Sequence, residues 1–193
     1  MNVDPLSRVR GWRVLGTLPA AATALVAANA VYILLVAFGN ITDYDTNLAF
    51  VQHVLAMDTT NFGGEPGEGL DPDVMWHAVD VPALWHVGYI GIIVWESIAA
   101  IVLVIATVLL LRGLAGGGFT TARTMATIGL GMILLLFAGG FIAIGGEWFQ
   151  MWRSLAWNGL DTAFRNVGIA AFAIIMLHLP NAQWLRGGVA TSS

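Results

Sequence analysis

The run from Val87 to Leu111 constrains this chain more than any other stretch, because it is apolar throughout apart from one formal charge, Glu96. About 20 such residues cross the hydrocarbon core of a bilayer as a helix, so the run reads as a membrane span. Counted from His86 at about 1.5 Å per residue, Glu96 lies roughly 15 Å deep. A carboxyl group at that depth is costly and almost never faces lipid. It is therefore expected to face protein, either as the neutral acid bonded to a neighbouring helix or within a polar site inside a bundle.

Composition carries the same message. Of 193 residues, 58% are hydrophobic and only 10% charged, against about a quarter charged in soluble domains. The chain has no cysteine, which excludes disulfides, thiolate metal ligands and thiol redox chemistry. Its basic residues are all arginine and scattered, and the net charge is −4, so nucleic acid is not an expected partner. A single domain is expected.

Four spans emerge, over about residues 14–38, 87–111, 124–144 and 163–179. The fold class is thus all-α, a polytopic membrane protein with a long loop, 39–86, between the first two spans. Arg8, Arg10 and Arg13 ahead of the first span, with Ala28-Asn29-Ala30 inside it, resemble a signal peptide, but the apolar run continues through Phe38. That is too long for a signal core, and the segment reads as a retained helix. Arg8, Arg10, Arg13, Arg112, Arg123 and Arg186 fall on one side of the membrane and Arg153 and Arg165 on the other. The positive-inside rule then places both termini in the cytoplasm. A composition rich in alanine and arginine and free of lysine suggests a bacterial inner membrane.

The loop 39–86 holds most of the 12 acidic residues and no arginine. Asp45 or Thr46 can cap a short amphipathic helix with Leu48, Val51, Val54 and Leu55 on one face. That helix is expected to lie on the outer membrane surface or on top of the bundle. An exposed Gly, Pro and acid segment follows, and Asp80 and Pro82 start a helix that runs into the second span. In the first span, Ala20, Ala24 and Ala28 offer a close-packing face, and Asn29 lies near the depth of Glu96, where it can serve as its partner. Gly129, Gly131, Gly139 and Gly140 offer a second such face on the third span.

Three groups of residues can carry chemistry. His53, His77, His86, Asp43, Asp45, Asp58 and Glu147 gather on the outer side, and His and carboxylate ligands suit zinc, copper or non-haem iron. None of the histidines has tight metal-ligand spacing, and hydrogen bonding of the loop onto the helix ends is the favoured explanation of them. His86, Tyr89, Ile93 and Glu96 form one stripe of the second span. Such a stripe can conduct protons, hold a quinone head group or glue helices together, although intramembrane hydrogen bonds average only about 0.6 kcal/mol. Glu147 with Met151 follows a glycine pair and reads as an interfacial acid. His178 at the inner end of the fourth span reads as an interfacial residue too.

Three segments resemble a family of bacterial predicted small integral membrane proteins. They are Phe38-Gly39-Asn40-Ile41-Thr42-Asp43-Tyr44, then Phe50-Val51-Gln52-His53-Val54-Leu55-Ala56-Met57-Asp58-Thr59, and Gly145-Gly146-Glu147-Trp148-Phe149-Gln150-Met151-Trp152. The likeness spans roughly Val14 to Leu179. It implies four helices with the outer-loop motif as hallmark, and no mechanism.

Small size, loosely spaced histidines and the alanine and glycine faces point to a non-catalytic accessory subunit of a larger membrane complex. A membrane oxidoreductase or a copper-dependent monooxygenase is a plausible host. Its partners would be lipid and other integral membrane subunits, with no cofactor of its own expected. The alternative is a redox protein binding a metal (copper or zinc) or a quinone through the outer His/Asp cluster and Glu96.

Overall fold

The computed structural model describes residues 11–185. Arg8, Arg10 and Arg186, used in the orientation argument, lie outside them. Four helices are long and apolar enough to cross a membrane: α1 (Leu18–Thr42), α3 (Pro82–Leu114), α4 (Thr120–Trp148) and α5 (Leu160–His178). A shorter helix, α2 (Tyr44–Ala56), follows α1 after a break at Asp43. No strand occurs among the described residues. The expected architecture and the amphipathic helix in the first loop are both present.

Local chemistry sets these ends. Thr17 caps α1 by accepting from the Ala20 amide at 3.4 Å, and Pro19 occupies the first turn, where its missing N–H costs nothing. Pro82 opens α3 in the same way, so that helix starts five residues ahead of the apolar run and continues unbroken to Leu114. Met57, at φ 54°, ends α2 in the left-handed region, and its side chain is fully buried.

The helices close into a ring in which α1 packs on α3 and α5, and α4 packs on the same two. Neighbours run antiparallel: the end of α1 meets the start of α3, and Arg123 at the start of α4 donates to the Leu177 carbonyl at the end of α5. One end of the bundle carries α2, the loop 57–81 and the segment 149–159. The opposite end carries Arg13, Arg112, Arg123 and a Phe119–Trp184 edge-to-face contact at 5.1 Å.

The core is built largely from alanine, among them Ala22, Ala30, Ala99, Ala100, Ala106, Ala126, Ala170 and Ala173. Side chains this small bring backbones together, as membrane bundles require when no hydrophobic force acts between helices. The face that α1 buries is not the expected one. Ala22, Val26, Ala30, Ile33 and Ala37 are buried, whereas Ala24 and Ala28 are exposed. Of the expected series only Ala20 is buried. A second four-residue series, Ala22, Val26 and Ala30, faces the core instead, and tertiary packing selects between them. The glycine face of α4 is likewise only partly used. A Cβ on Gly129 would come within 2.6 Å of Leu103, while one on Gly131 or Gly139 would meet nothing.

From Leu135 to Trp148, α4 is a π-helix, and the ladder closes with the Phe149 amide on the Ile144 carbonyl at 2.9 Å. Such helices are rare and usually last one turn. At the join, the Trp95 indole N–H donates to the Met132 carbonyl at 2.9 Å, which helps to satisfy backbone groups where the bonding pattern changes.

Candidate functional site

A cluster of polar side chains sits where α1, α2 and α3 meet. Glu96 is 2% exposed, so the expectation that it faces protein holds. Its Oε2 accepts from Asn40 Nδ2 at 2.7 Å. Asn40 is held in turn by Asn47, whose Nδ2 donates to Asn40 Oδ1 at 2.7 Å. Tyr89, 1% exposed, donates to the Asn40 carbonyl at 3.3 Å. Asn40 thus stands at the centre of the cluster, donating its amide and accepting through both its side-chain and main-chain oxygens.

Asn29 is not the partner of Glu96. Its Nδ2 donates to the Leu25 carbonyl of its own helix at 2.8 Å. The reason is length. Because α1 runs on to Thr42, its register against α3 sets Asn40 opposite Glu96, and Asn29 lies roughly 16 Å further along at about 1.5 Å per residue. Glu96 is accordingly paired near the α2 end of α1, not at the middle of the bundle.

The stripe on α3 extends outward from this cluster. Tyr44, at the start of α2, bonds His86 Nδ1 through its hydroxyl at 2.8 Å, and its ring lies 4.7 Å from that of Tyr89. His86 is exposed. Two hydrogen-bonded groups, His86–Tyr44 and Tyr89–Asn40–Glu96–Asn47, are joined by ring contact between the two tyrosines. The stripe is continuous in space, but the tyrosine contact is not a hydrogen bond.

Beside the inner group lies a cavity of about 600 Å³, within the range of small-molecule sites. Glu96, Tyr89, Asn40 and Asn47 form its polar floor, and Tyr32, Phe50, Phe137, Phe141 and Trp157 supply aromatic walls. The π-helical part of α4 contributes Phe137 and Phe141, and the tight turn before α5 contributes Trp157. Among the described residues Asn40 is the one hydrogen-bond partner of Glu96, which leaves Oε1 for a ligand or water. The arrangement can hold a planar apolar molecule and offer its polar atoms a carboxyl, a phenol and amides.

The outer histidines do not converge. His53 Nδ1 meets Asp58 at 2.8 Å, and its ring stacks on Trp157 at 4.5 Å. His77 Nδ1 donates to the Trp148 carbonyl at 2.7 Å, and its ring stacks on that indole at 4.4 Å. His86 belongs to Tyr44. Asp43 accepts from the Thr46 hydroxyl at 3.0 Å in the first turn of α2, while Asp45 and Glu147 are exposed. Met151 is buried against Gly145. His178 Nε2 bonds the Thr127 hydroxyl at 3.0 Å. Among the described residues, no group of three His, Asp or Glu side chains could hold a metal ion.

The loop 57–81 is pinned to the segment after α4. Arg153 donates to Asp71 at 3.0 Å and lies over the rings of Trp152 and Phe62 at 5.2 and 5.8 Å. The Arg153 hydrogen bond, helped by the Asp73 amide, holds the Asp71 carboxyl below its ordinary value of 3.8. Thr59 and Ser154 bond each other at 2.9 Å in the buried part of the same contact.

The sequence segments that position this site have a known setting. Residues 18–180 match the family described as predicted small integral membrane protein (DUF2165). The chain belongs to that family. It is an integral membrane protein, and its four apolar helices agree with the family description. No curated protein and no solved structure matches it. The match covers all five helices of this DUF2165 protein except the cap residue before α1, and so the whole polar cluster lies within it. Asn40, Tyr44, Asn47 and Trp157 were missed as site residues on the sequence. Their signal was present: Tyr44 and Asn47 fall three apart on one helical face, which aims both at the bundle.

Proposed function

We propose that this chain is a membrane-embedded binding protein for a planar, lipid-soluble molecule with a hydrogen-bonding head group, of the quinone or quinol class. The observation that carries the reading is the buried Glu96–Asn40–Tyr89 group opening onto an aromatic-walled cavity. An ionisable group inside a membrane bundle is costly, and it points to a binding or transport site more readily than to structural glue. Aromatic walls favour a flat ring by offset stacking. The cavity favours a quinone over a metal ion, since His53, His77 and His86 are each engaged with a separate partner. In this reading the protein sits in a bacterial inner membrane with the α2 end outside, and the cavity is entered from that half of the bilayer.

The test is a titration of the purified protein with a benzoquinone head group that carries no tail. Binding is read as quenching of the Trp157 contribution, isolated by difference against Trp157→Phe. Saturable quenching is expected. Glu96→Leu should weaken it about tenfold, the equivalent of one hydrogen bond to a polar group, and Glu96→Gln much less. Absence of saturable quenching, or an unchanged affinity in Glu96→Leu, would overturn the proposal.

A second reading rests on a different observation. Ala24 and Ala28 on α1 are exposed, and Gly91, Gly131 and Gly139 have open space where a Cβ would stand. Small residues on an outward face suit the close approach of another helix, as in an accessory subunit of a membrane complex such as an oxidoreductase or copper-dependent monooxygenase. Recovery of integral membrane partners in mild detergent, lost on Ala24→Leu and Ala28→Leu, would support it. Recovery of the chain alone would count against it.

A further inference from the structure

A second cavity, about 190 Å³, lies beneath α2. It is lined by Val54 and Leu55 from α2, Leu136 and Ile144 from α4, and Phe149 and Met151 beyond it. None of its lining side chains carries a nitrogen or oxygen. It shares Phe50, Val51, Ile92 and Phe141 with the cavity that holds Glu96. The two spaces therefore adjoin along a border of four apolar side chains. Within it, Phe50 and Phe141 stack with centroids 6.0 Å apart and planes 21° from parallel. An apolar space of about 150 Å³ is enough to take a benzene-sized guest. This one is larger, and it adjoins a site whose floor is polar.

We infer that the ligand of the Glu96 cavity is an amphiphile whose hydrocarbon tail lodges in the cavity beneath α2, with the Phe50–Phe141 pair lying between head and tail. The inference rests on the binding reading above and narrows its substrate class to head groups bearing a tail at the ring. The space accommodates about the first five or six carbons, one isoprenoid unit by size. Any longer tail must continue into lipid. The geometry also gives α2 a role. Its inward side, with Phe50, Val51, Val54 and Leu55, is the lid of the tail cavity, and the same side one turn earlier supplies Asn47 to the head group.

The experiment compares a tail-less benzoquinone with its pentyl derivative, each corrected for partition into protein-free micelles. Wild type is expected to bind the pentyl probe about tenfold more tightly than the tail-less one. Val54→Phe, which fills the tail cavity from a position outside the head-group cavity, should bring the ratio to within about twofold. Its affinity for the tail-less probe should stay unchanged, which also reports that the variant is folded. If it fails to fold, a decyl probe on wild type decides: equal affinity for pentyl and decyl supports a cavity filled by the first carbons, and a continued rise overturns it. Tail-less binding with no gain from the pentyl group overturns the inference and leaves the binding reading intact. The same gain in Val54→Phe as in wild type overturns it too. Failure of both probes to bind wild type sinks the binding reading itself.

Discussion

Asn40 illustrates how one residue can fix a membrane helix. Its amide serves Glu96 and its two oxygens serve Asn47 and Tyr89, so three elements meet on one side chain. Asn40→Leu would leave the buried Glu96 carboxyl and the Asn47 amide without their partners. The expected loss is about 1–3 kcal/mol, the cost of stranding one buried polar group, Glu96, since Asn47 is exposed. Asn29→Leu removes only a bond to its own helix, and about 1 kcal/mol or less is expected. Thermal unfolding of the two variants in one detergent compares them directly. Equal destabilisation would mean that Asn40 is not the keystone of the cluster.

At the scale of elements, the loop 57–81 is held by a contact whose strength depends on pH. Asp71 sits below its ordinary value because Arg153 donates to its ionised form. A depressed carboxyl contributes stability above its unfolded value of 3.8, and that contribution is lost as pH falls through the folded value. Asp71 is substantially exposed, so solvent screens the pair and the effect is local to the loop. The fluorescence of Trp152, over which Arg153 lies, is expected to change in acid below that pH and to stay flat in Asp71→Asn. An identical acid transition in Asp71→Asn would assign the change to another group. The π-helical run of α4 lines the Glu96 cavity through Phe137 and Phe141, and departures from regular helix of this kind tend to mark function.

For the whole molecule, the testable statement is which end faces which compartment. Absence of cysteine gives a background free of thiols, so Glu65→Cys reports the α2 end and Gly116→Cys the opposite one. Both positions are exposed. The arginine distribution predicts that an impermeant thiol reagent added outside cells labels the first and not the second. The reverse pattern would invert the orientation, and equal labelling of both would break the four-span topology.

What the sequence by itself determined was the class of molecule. Apolar runs of membrane-crossing length fixed the four spans, and the cost of an acid within an apolar span required Glu96 to face protein. The apolar period placed α2, although it starts at Tyr44 after Asp43 and not at a cap on Asp45 or Thr46. These properties are local or depend on the bilayer, so they can be read along one dimension. The partner of Glu96 could not be read in this way. Asn29 and Asn40 both lie in α1, and the choice between them depends on how far α1 and α3 extend and on their antiparallel register. The buried face of α1 was undetermined for the same reason, since Ala20, Ala24 and Ala28 and the neighbouring Ala22, Val26 and Ala30 satisfy one spacing rule. The cavities arise only when α2 packs back on α3 and leaves a space against α4, and the π-helical run turns Phe137 and Phe141 toward it. Those are contacts between segments far apart in sequence, and only the tertiary structure decides them.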